Sequence, residues 1–307
     1  KKIKKGIINM PYIPVDLFKN YDLFSVKEVE IFKTLKSSGT TSNKPSKIFL
    51  DRDNANAQSI SLSKIFTDFT SLNRPGMLVA DSQNLIQDKR AFSARAAGVI
   101  GFSYLCKKPK FILDTEMNIL ISNIEKTLED SKIENILLFG FTYIIWLHLL
   151  SKKLPSDIRK ELNKKAVLLH GGGWKKLFSL NISKEEFKQK INECLGIDKC
   201  INYYGMVEQT GSIFMECEEG YLHTNPLCQV ISRNKKTLKE SKKDAIGIAQ
   251  VISCLPTSYP GNSIITDDLI LVKGIDNCRC GRKGIYFDIL GRLNSSEPRG
   301  CSDTYSK

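Results

Sequence analysis

Only three histidines (His148, His170 and His223), two tryptophans and five methionines occur in 307 residues. Hydrolytic chemistry built on several histidines is therefore poorly supported. Long hydrophobic runs are scarce too. The longest, Ile136 to Leu150, is interrupted by Gly140, Thr142 and His148 and is too short to cross a bilayer, so no transmembrane segment is expected. It reads as a strand followed by a buried helix. No signal peptide is legible at the start of the chain, and no internal repeat or low-complexity linker is evident. Acidic residues are the minority, 33 Asp and Glu against 46 Lys and Arg, for a net charge of +13. That balance favours anionic partners such as nucleotide, nucleic acid, an acidic carrier protein or acidic lipid, and equally describes a Lys-rich solvated surface. The basic residues are scattered, without the interleaved aromatics of single-strand binders, and nucleic-acid binding is not expected.

Nine cysteines are present. An odd count without a secretory signal points to reduced thiols in a cytoplasmic protein, serving as core residues, ligands or a nucleophile. Pro11 and Pro14 break the N-terminal stretch before an amphipathic run, Val26–Leu35. Strands are then predicted at Met77–Ala80, Phe111–Leu113, Ile136–Phe139, Val167–Leu169 and Ile201–Tyr204, and helices at Lys89–Val99, Glu116–Leu128, Tyr143–Leu150, Asp157–Leu162 and Lys184–Leu195. This alternation predicts an α/β fold, a mostly parallel sheet with helices on both faces. Beyond Tyr204, shorter pieces (Ser212–Glu216, Gln229–Ser232, Ala249–Cys254, Leu269–Val272, Ile285–Leu290) predict an antiparallel or barrel-like part. The expected division is an α/β body over 1–204 and a β-rich subdomain over 205–307.

Five motifs carry chemistry. Ser37 to Lys47 (SSGTTSNKPSK) packs hydroxyls, glycine and lysine into a loop suited to surrounding phosphate oxygens, though its spacing is not that of a P-loop. His170-Gly171-Gly172-Gly173-Trp174-Lys175-Lys176 follows an apolar run, where glycines at a parallel strand's C-terminal end let the backbone approach a flat ligand. Either stretch alone is equally a surface or strand-to-helix turn. Tyr204-Gly205-Met206-Val207-Glu208 places a carboxylate where Mg²⁺ and nucleotide phosphates would suit it. Thr266-Asp267-Asp268 offers an acceptor for ribose hydroxyls, and Gly291-Arg292 and Arg299-Gly300-Cys301 stand near the end of the chain.

In this order the motifs resemble the adenylate-forming superfamily. Within it, the strings Ile13–Lys19, SSGTTSNKPSKIFLD, GFTYIIW, HGGGWKKL, NYYGMVEQTGSIFMEC, SYPGNSIITDDL and RGCSDTY resemble the LuxE family of acyl-protein synthetases. The resemblance implies the large N-terminal-type domain of adenylate-forming enzymes and an ATP- and Mg²⁺-dependent ligase. Such a ligase turns a long-chain fatty acid into acyl-AMP, then transfers the acyl group to its own Cys301 for delivery to an acyl reductase. The alternatives are a ligase or acyltransferase loading CoA or an acyl carrier protein, and a nucleotide-binding scaffold without turnover. Carried over, the resemblance puts Ser37, Ser38, Gly39, Thr40, Thr41 and Lys47 on the ATP phosphates. It puts Gly172, Gly173, Trp174, Tyr204 and Gly205 around the adenine, Glu208 at Mg²⁺, Asp268 at the ribose, and Arg292 at the ribose or α-phosphate. Val207 stands where the superfamily usually has Thr. The sequence ends just past the GR element, so the mobile C-terminal domain with its catalytic lysine is expected to be absent. Lys175, Lys176 and Lys47 become candidates for the missing cation. Finally, Cys217, His223, Cys278 and Cys280 form a set of three thiolates and an imidazole suited to tetrahedral Zn²⁺, or are simply reduced cysteines of a β-rich part. Cys106, Cys194, Cys200, Cys228 and Cys254 are expected to be buried packing residues.

Overall fold

A computed structural model describes residues 6–37, 44–87, 94–172, 180 and 182–293. The described chain divides into two compact units, residues 6–65 with 204–293, and Phe66–Tyr203. The first opens with helical residues at 6–8, followed by a two-residue strand, β1 (Ile13–Pro14), and a short helix, Leu17–Asn20. The run Val26–Leu35 forms no amphipathic element. It holds one 3₁₀ turn, Glu28–Glu30, and enters β2 (Lys33–Lys36), which pairs antiparallel with β3 (Lys47–Leu50). Its apolar residues share no buried face, since Val29 and Phe32 are both exposed. The next element, helix α1 (Arg52–Thr70), has no counterpart among the sequence expectations. Its inward stripe starts with Asn54, Gln58 and Ser61 rather than with aliphatic residues, all three buried. Those side chains bond instead: Asn54 Nδ2 donates to Leu255 O (2.6 Å), Ser61 Oγ to Gly211 O (2.9 Å), and Gln58 Nε2 to Tyr259 Oη (3.3 Å). A buried polar stripe of this kind is tolerated because each residue makes a hydrogen bond, but hydrophobic periodicity is blind to it.

The second unit alternates strand and helix: β4 (Gly76–Ser82), α2 (Ala94–Ser103), β5 (Pro109–Leu113), α3 (Ile121–Leu128), β6 (Ile136–Phe141), α4 (Ser156–Lys165), β7 (Ala166–Gly171), α5 (Lys184–Leu195) and β8 (Cys200–Tyr204). The strands lie in the order β8-β7-β6-β4-β5, all parallel. Every residue of β4, β6 and β7 is buried, which is why they read as continuous apolar runs. Ile124, Leu149, Ile158, Leu162, Phe187 and Ile191 pack against them. α3 starts later than its periodicity predicts. The Asp114 carboxylate accepts from the N–H groups of Glu116 and Asn118, and Met117 takes φ +66°, so 114–118 is a turn. After β6 the apolar run makes one α-turn (Thr142–Ile144) and one π-turn (Ile145–Leu149) rather than a continuous α-helix. α5 keeps the predicted bounds because both ends are signed: Ser183 Oγ accepts from Glu186 N, and Gly196 closes it at φ +77°.

From 204 onward the first unit resumes with β9 (Phe214–Glu216), β10 (Leu222–His223), β11 (Cys228–Arg233), β12 (Gly247–Ser253), β13 (Ser263–Ile275) and β14 (Ile285–Arg292). They form an antiparallel array in the order β11-β12-β13-β14-β10-β9, and β1 pairs with β13 in parallel. Phe18, Ile48, Phe214, Tyr259, Ile264, Ile270 and Phe287 fill its core. Cys254 is exposed rather than buried, because it sits one residue past β12 where the chain turns; Cys106, Cys194, Cys200 and Cys228 are buried. Among the described residues no helix is long and apolar enough to cross a membrane.

Gly171 ends β7 so close to β8 that an added Cβ would lie 2.6 Å from the Tyr203 ring and 2.8 Å from its carbonyl oxygen. Because backbone cannot yield as a side-chain tip can, Gly171→Ala is expected to cost about 1–3 kcal/mol. A denaturation midpoint matching the wild type would contradict the packing described.

Candidate functional site

In the parallel unit the strand ends carry polar residues. Gly140, His170 and Asn202 stand level across β6, β7 and β8, followed by Phe141, Gly171 and Tyr203. Thr142 Oγ1 lies 2.9 Å from His170 Nδ1. Burial, with Lys188 and Lys184 adding to it, pushes the His170 imidazole down to about 3, so it is neutral at physiological pH. At the end of β4, Asp81 Oδ2 accepts from Arg95 Nη1 (2.8 Å), both residues being buried. Burial raises the Asp81 carboxyl above its ordinary value against the pull of Arg95. Gly172 turns the chain out of β7 at φ +66°, which glycine alone adopts without strain. Gly173, Trp174, Lys175 and Lys176 lie outside the described residues, as do Ser38, Gly39, Thr40, Thr41 and Cys301.

The other unit holds a denser constellation. Ser37 and Ser46 close the neck of the β2–β3 hairpin: Ser37 N donates to Ser46 O (3.0 Å), and Ser46 N to Ser37 Oγ (2.8 Å). The predicted phosphate loop is therefore the hairpin's connection. Lys47, first residue of β3, pairs with Asp22 at 3.0 Å. On β13, Thr266 Oγ1 donates to Ala249 O and accepts from Asp268 N, fixing the Asp268 backbone. The buried Asp268 carboxylate takes Tyr204 Oη on one oxygen (2.6 Å) and Arg292 Nε on the other (2.7 Å). Register explains the last contact, since Arg292 stands opposite Asp268 across β13 and β14. Each oxygen keeps acceptor capacity for another donor. Burial first, then Asp268, pushes the Tyr204 phenol well above its ordinary value, so it remains a donor. Arg292 is raised by Asp268 against the opposing effect of burial.

Glu208 sits in a 3₁₀ turn, Val207–Gln209, just past Gly205. It is buried and has no ion pair among the described residues. Burial raises its pKa, countered by the Ser46 hydroxyl and the charges of Lys19 and Arg292. A buried carboxylate beside a hydroxyl, with its charge left without a contact cation, fits a hard divalent ion such as Mg²⁺.

Cys217, His223, Cys278 and Cys280 come together, their ligand atoms all within 4.8 Å of one another. Cys217 follows β9 and His223 ends β10, while Cys278 and Cys280 occupy the turn between β13 and β14. Cys217 Sγ lies 3.9 Å from Cys278 Sγ, and Cys280 Sγ 3.4 Å from His223 Nε2. Ligands about 2.3 Å from a tetrahedral zinc stand about 3.7 Å apart, so the separations and the donor set fit that ion. Burial pushes the Cys217 thiol up to about 12.

Sequence reasoning missed Asp16, Lys19 and Asp267 here. Asp267 is raised by burial and by Asp16, and lowered by Arg292 and Lys19. The doubled acid in Thr-Asp-Asp was the available signal for it. Lys19 closed one of the family-like strings without an assigned role.

A parallel α/β unit and an antiparallel unit ending in a bridged Asp–Arg pair define an adenylate-forming ligase fold. It is shared with 2-hydroxyisobutyryl-CoA ligase solved with 2-HIB-AMP and CoA (TM-score 0.64, 16% identity, covering 88% of this chain and 59% of that one). ATP-bound MatB from Rhodopseudomonas palustris also shares it (TM-score 0.53, 16% identity, 85% and 48%). The profile of the LuxE acyl-protein synthetases matches residues 1–307, and the chain belongs to that family. It is similar to the long-chain-fatty-acid–luciferin-component ligases of Aliivibrio fischeri (25% identity over 213 residues, 66% of this chain and 55% of the relative) and Vibrio harveyi (21% over 318 residues, 100% and 80%). The match thus spans little more than half the length of the first relative.

A carboxyl with a pKa raised in the folded state destabilises that state when ionised. The cost is absent below the ordinary value of 4.5 and complete above the folded one. Glu208→Gln is therefore expected to melt above the wild type at pH 7 in metal-free buffer, the gap closing as pH falls toward 4.5. Equal melting at pH 7 would mean the charge is already compensated.

Proposed function

We propose that the protein is an acyl-protein synthetase that activates a long-chain fatty acid with ATP and hands the acyl group to Cys301, from which an acyl reductase takes it. The observation that carries this reading is the Tyr204–Asp268–Arg292 bridge with buried Glu208 in the same unit, in a chain of this family and fold. The relatives named as fatty-acid ligases and the neighbours solved with ATP or an acyl-AMP support it.

In this reading Asp268 uses its spare acceptor capacity on the ribose hydroxyls, and Tyr204 and Arg292 hold it oriented. Arg292 has donors left for the ribose or α-phosphate. The hairpin connection from Ser37 to Lys47 receives the phosphates. Glu208 holds Mg²⁺, which when bound offsets phosphate charge. An oxygen of the fatty acid carboxylate attacks the α-phosphorus and pyrophosphate leaves. The Cys301 thiolate then attacks the acyl carbonyl and AMP departs with the electron pair of the broken bond. Cys217, His223, Cys278 and Cys280 would hold a structural Zn²⁺, which would tie the β9–β10 hairpin to the β13–β14 turn.

Intact-protein mass spectrometry after incubation with ATP, Mg²⁺ and a panel of fatty acids tests the transfer. A single acyl mass, released by hydroxylamine and missing from Cys301→Ser, is the expected result. Pyrophosphate release without any adduct would move the acceptor to CoA or a carrier, and silence in both assays would refute the activity. For the metal, elemental analysis should give one zinc per chain. Chelation or Cys217→Ser should lower the melting temperature; a zinc-free protein of unchanged stability in chelator would exclude the site.

A further inference from the structure

β13 is paired by β12 along one edge, and its other edge is shared by two strands running toward each other. β1 runs parallel to it, Ile13 opposite Ile264 and Pro14 opposite Ile265, and Val15 N then donates to Ile265 O (3.0 Å). β14 comes from the other end, Arg292 opposite Asp268, and Leu293 N donates to Asp267 O (3.0 Å). The segment after β1 and the end of β14 therefore converge on Thr266–Asp267. The Leu17–Asn20 helix starts there, pinned by Phe18, which is buried edge-on against Tyr259 at 6.2 Å.

That anchoring fixes Lys19. Its side chain is 18% exposed and pairs with Asp16. Its charge acts on Asp267, as does that of Arg292. Lys19 also lines a cavity of about 410 Å³ together with Tyr21, Asp22, Lys44 and Lys47. Three lysines thus line it with one aspartate; Asp22 engages Lys47, Asp16 engages Lys19, and Lys44 has no ion pair among the described residues. A cavity of this charge suits a polyanion.

We infer that Lys19 is the lysine that meets the polyphosphate of ATP, exchanging Asp16 for a phosphate oxygen and, with Lys44 and Lys47, stabilising the departing pyrophosphate. This rests on the adenylation reading and adds a cation that the motifs did not indicate. In the step, a bond forms between a carboxylate oxygen and the α-phosphorus. The bond from that phosphorus to the bridging oxygen breaks, and its electron pair stays on pyrophosphate. Lys19 transfers no proton; it offsets charge that grows as the bond breaks, where a fixed cation is most effective.

The test compares the wild type with Lys19→Met, Lys19→Arg and, as a remote control, Lys235→Met. Pyrophosphate affinity by calorimetry, ATP–pyrophosphate exchange with a fatty acid panel, and melting temperature are read together. Lys19→Met should weaken pyrophosphate binding about 10-fold and slow exchange about 100-fold, the scale expected for losing one preorganised donor at developing charge. Lys19→Arg should recover much of both, and Lys235→Met should match the wild type. If Lys19→Met melts lower, Lys19→Gln replaces it. Unchanged binding and exchange in the variants, with or without a stability loss, would reduce Lys19 to a neutraliser of Asp16 and Asp267 and overturn the inference. Wild-type protein that exchanges with no acid would refute the adenylation reading instead. Pyrophosphate binding then decides for Lys19 by itself: binding weakened in Lys19→Met upholds it, and binding unweakened or absent overturns it.

Discussion

The thirteen-residue strand β13 constrains most of what the antiparallel unit does. A strand hydrogen-bonded along both edges has little freedom to slide, because a one-residue slip would turn each side chain to the opposite face. Ile264 and Ile270 thereby stay in the core, and Thr266, Asp267 and Asp268 stay where β1 and β14 meet. The Asp268 carboxylate is the chemical expression of that register. A carboxylate buried alone would be costly; this one is bonded on both oxygens and held in direction between Tyr204 and Arg292.

Glu208 shows the opposite arrangement. It is as buried as Asp268, yet it has no ion pair among the described residues, and burial raises its carboxyl. Two carboxylates in one unit, one satisfied by the protein and one left wanting, have environments that push their behaviour apart. Such pairs mark sites where stability has been given up for chemistry.

The parallel unit was largely legible in the sequence, because β4, β6 and β7 are buried on both faces and therefore appear as unbroken apolar runs between helix signals. α5 was legible to the residue through Ser183 and Gly196. The failures have physical causes. α1 buries amides and hydroxyls that bond to distant backbone, and the turn at Asp114 hides inside a helical period. Of the candidate site, Tyr204, Glu208, Asp268 and Arg292 were named from motif order, and the four residues of the thiol–imidazole cluster from the spacing of their cysteines and histidine. What the sequence could not supply was the pairing of β1 with a strand some 250 residues away. That pairing brings Asp16 and Lys19 to Asp267, and joins residues 6–65 to 204–293 as one unit.

The same long-range pairing has a bearing on synthesis. Phe66–Tyr203 is one uninterrupted stretch, and nascent domains generally fold as units in the order they emerge. The other unit is split around it. β1 is made before that stretch, yet its partner β13 is made after it. On the ribosome the parallel unit is therefore free to form first, while residues 6–65 wait without their sheet. The Asp268–Arg292 bridge closes only after β13 and β14 have both emerged.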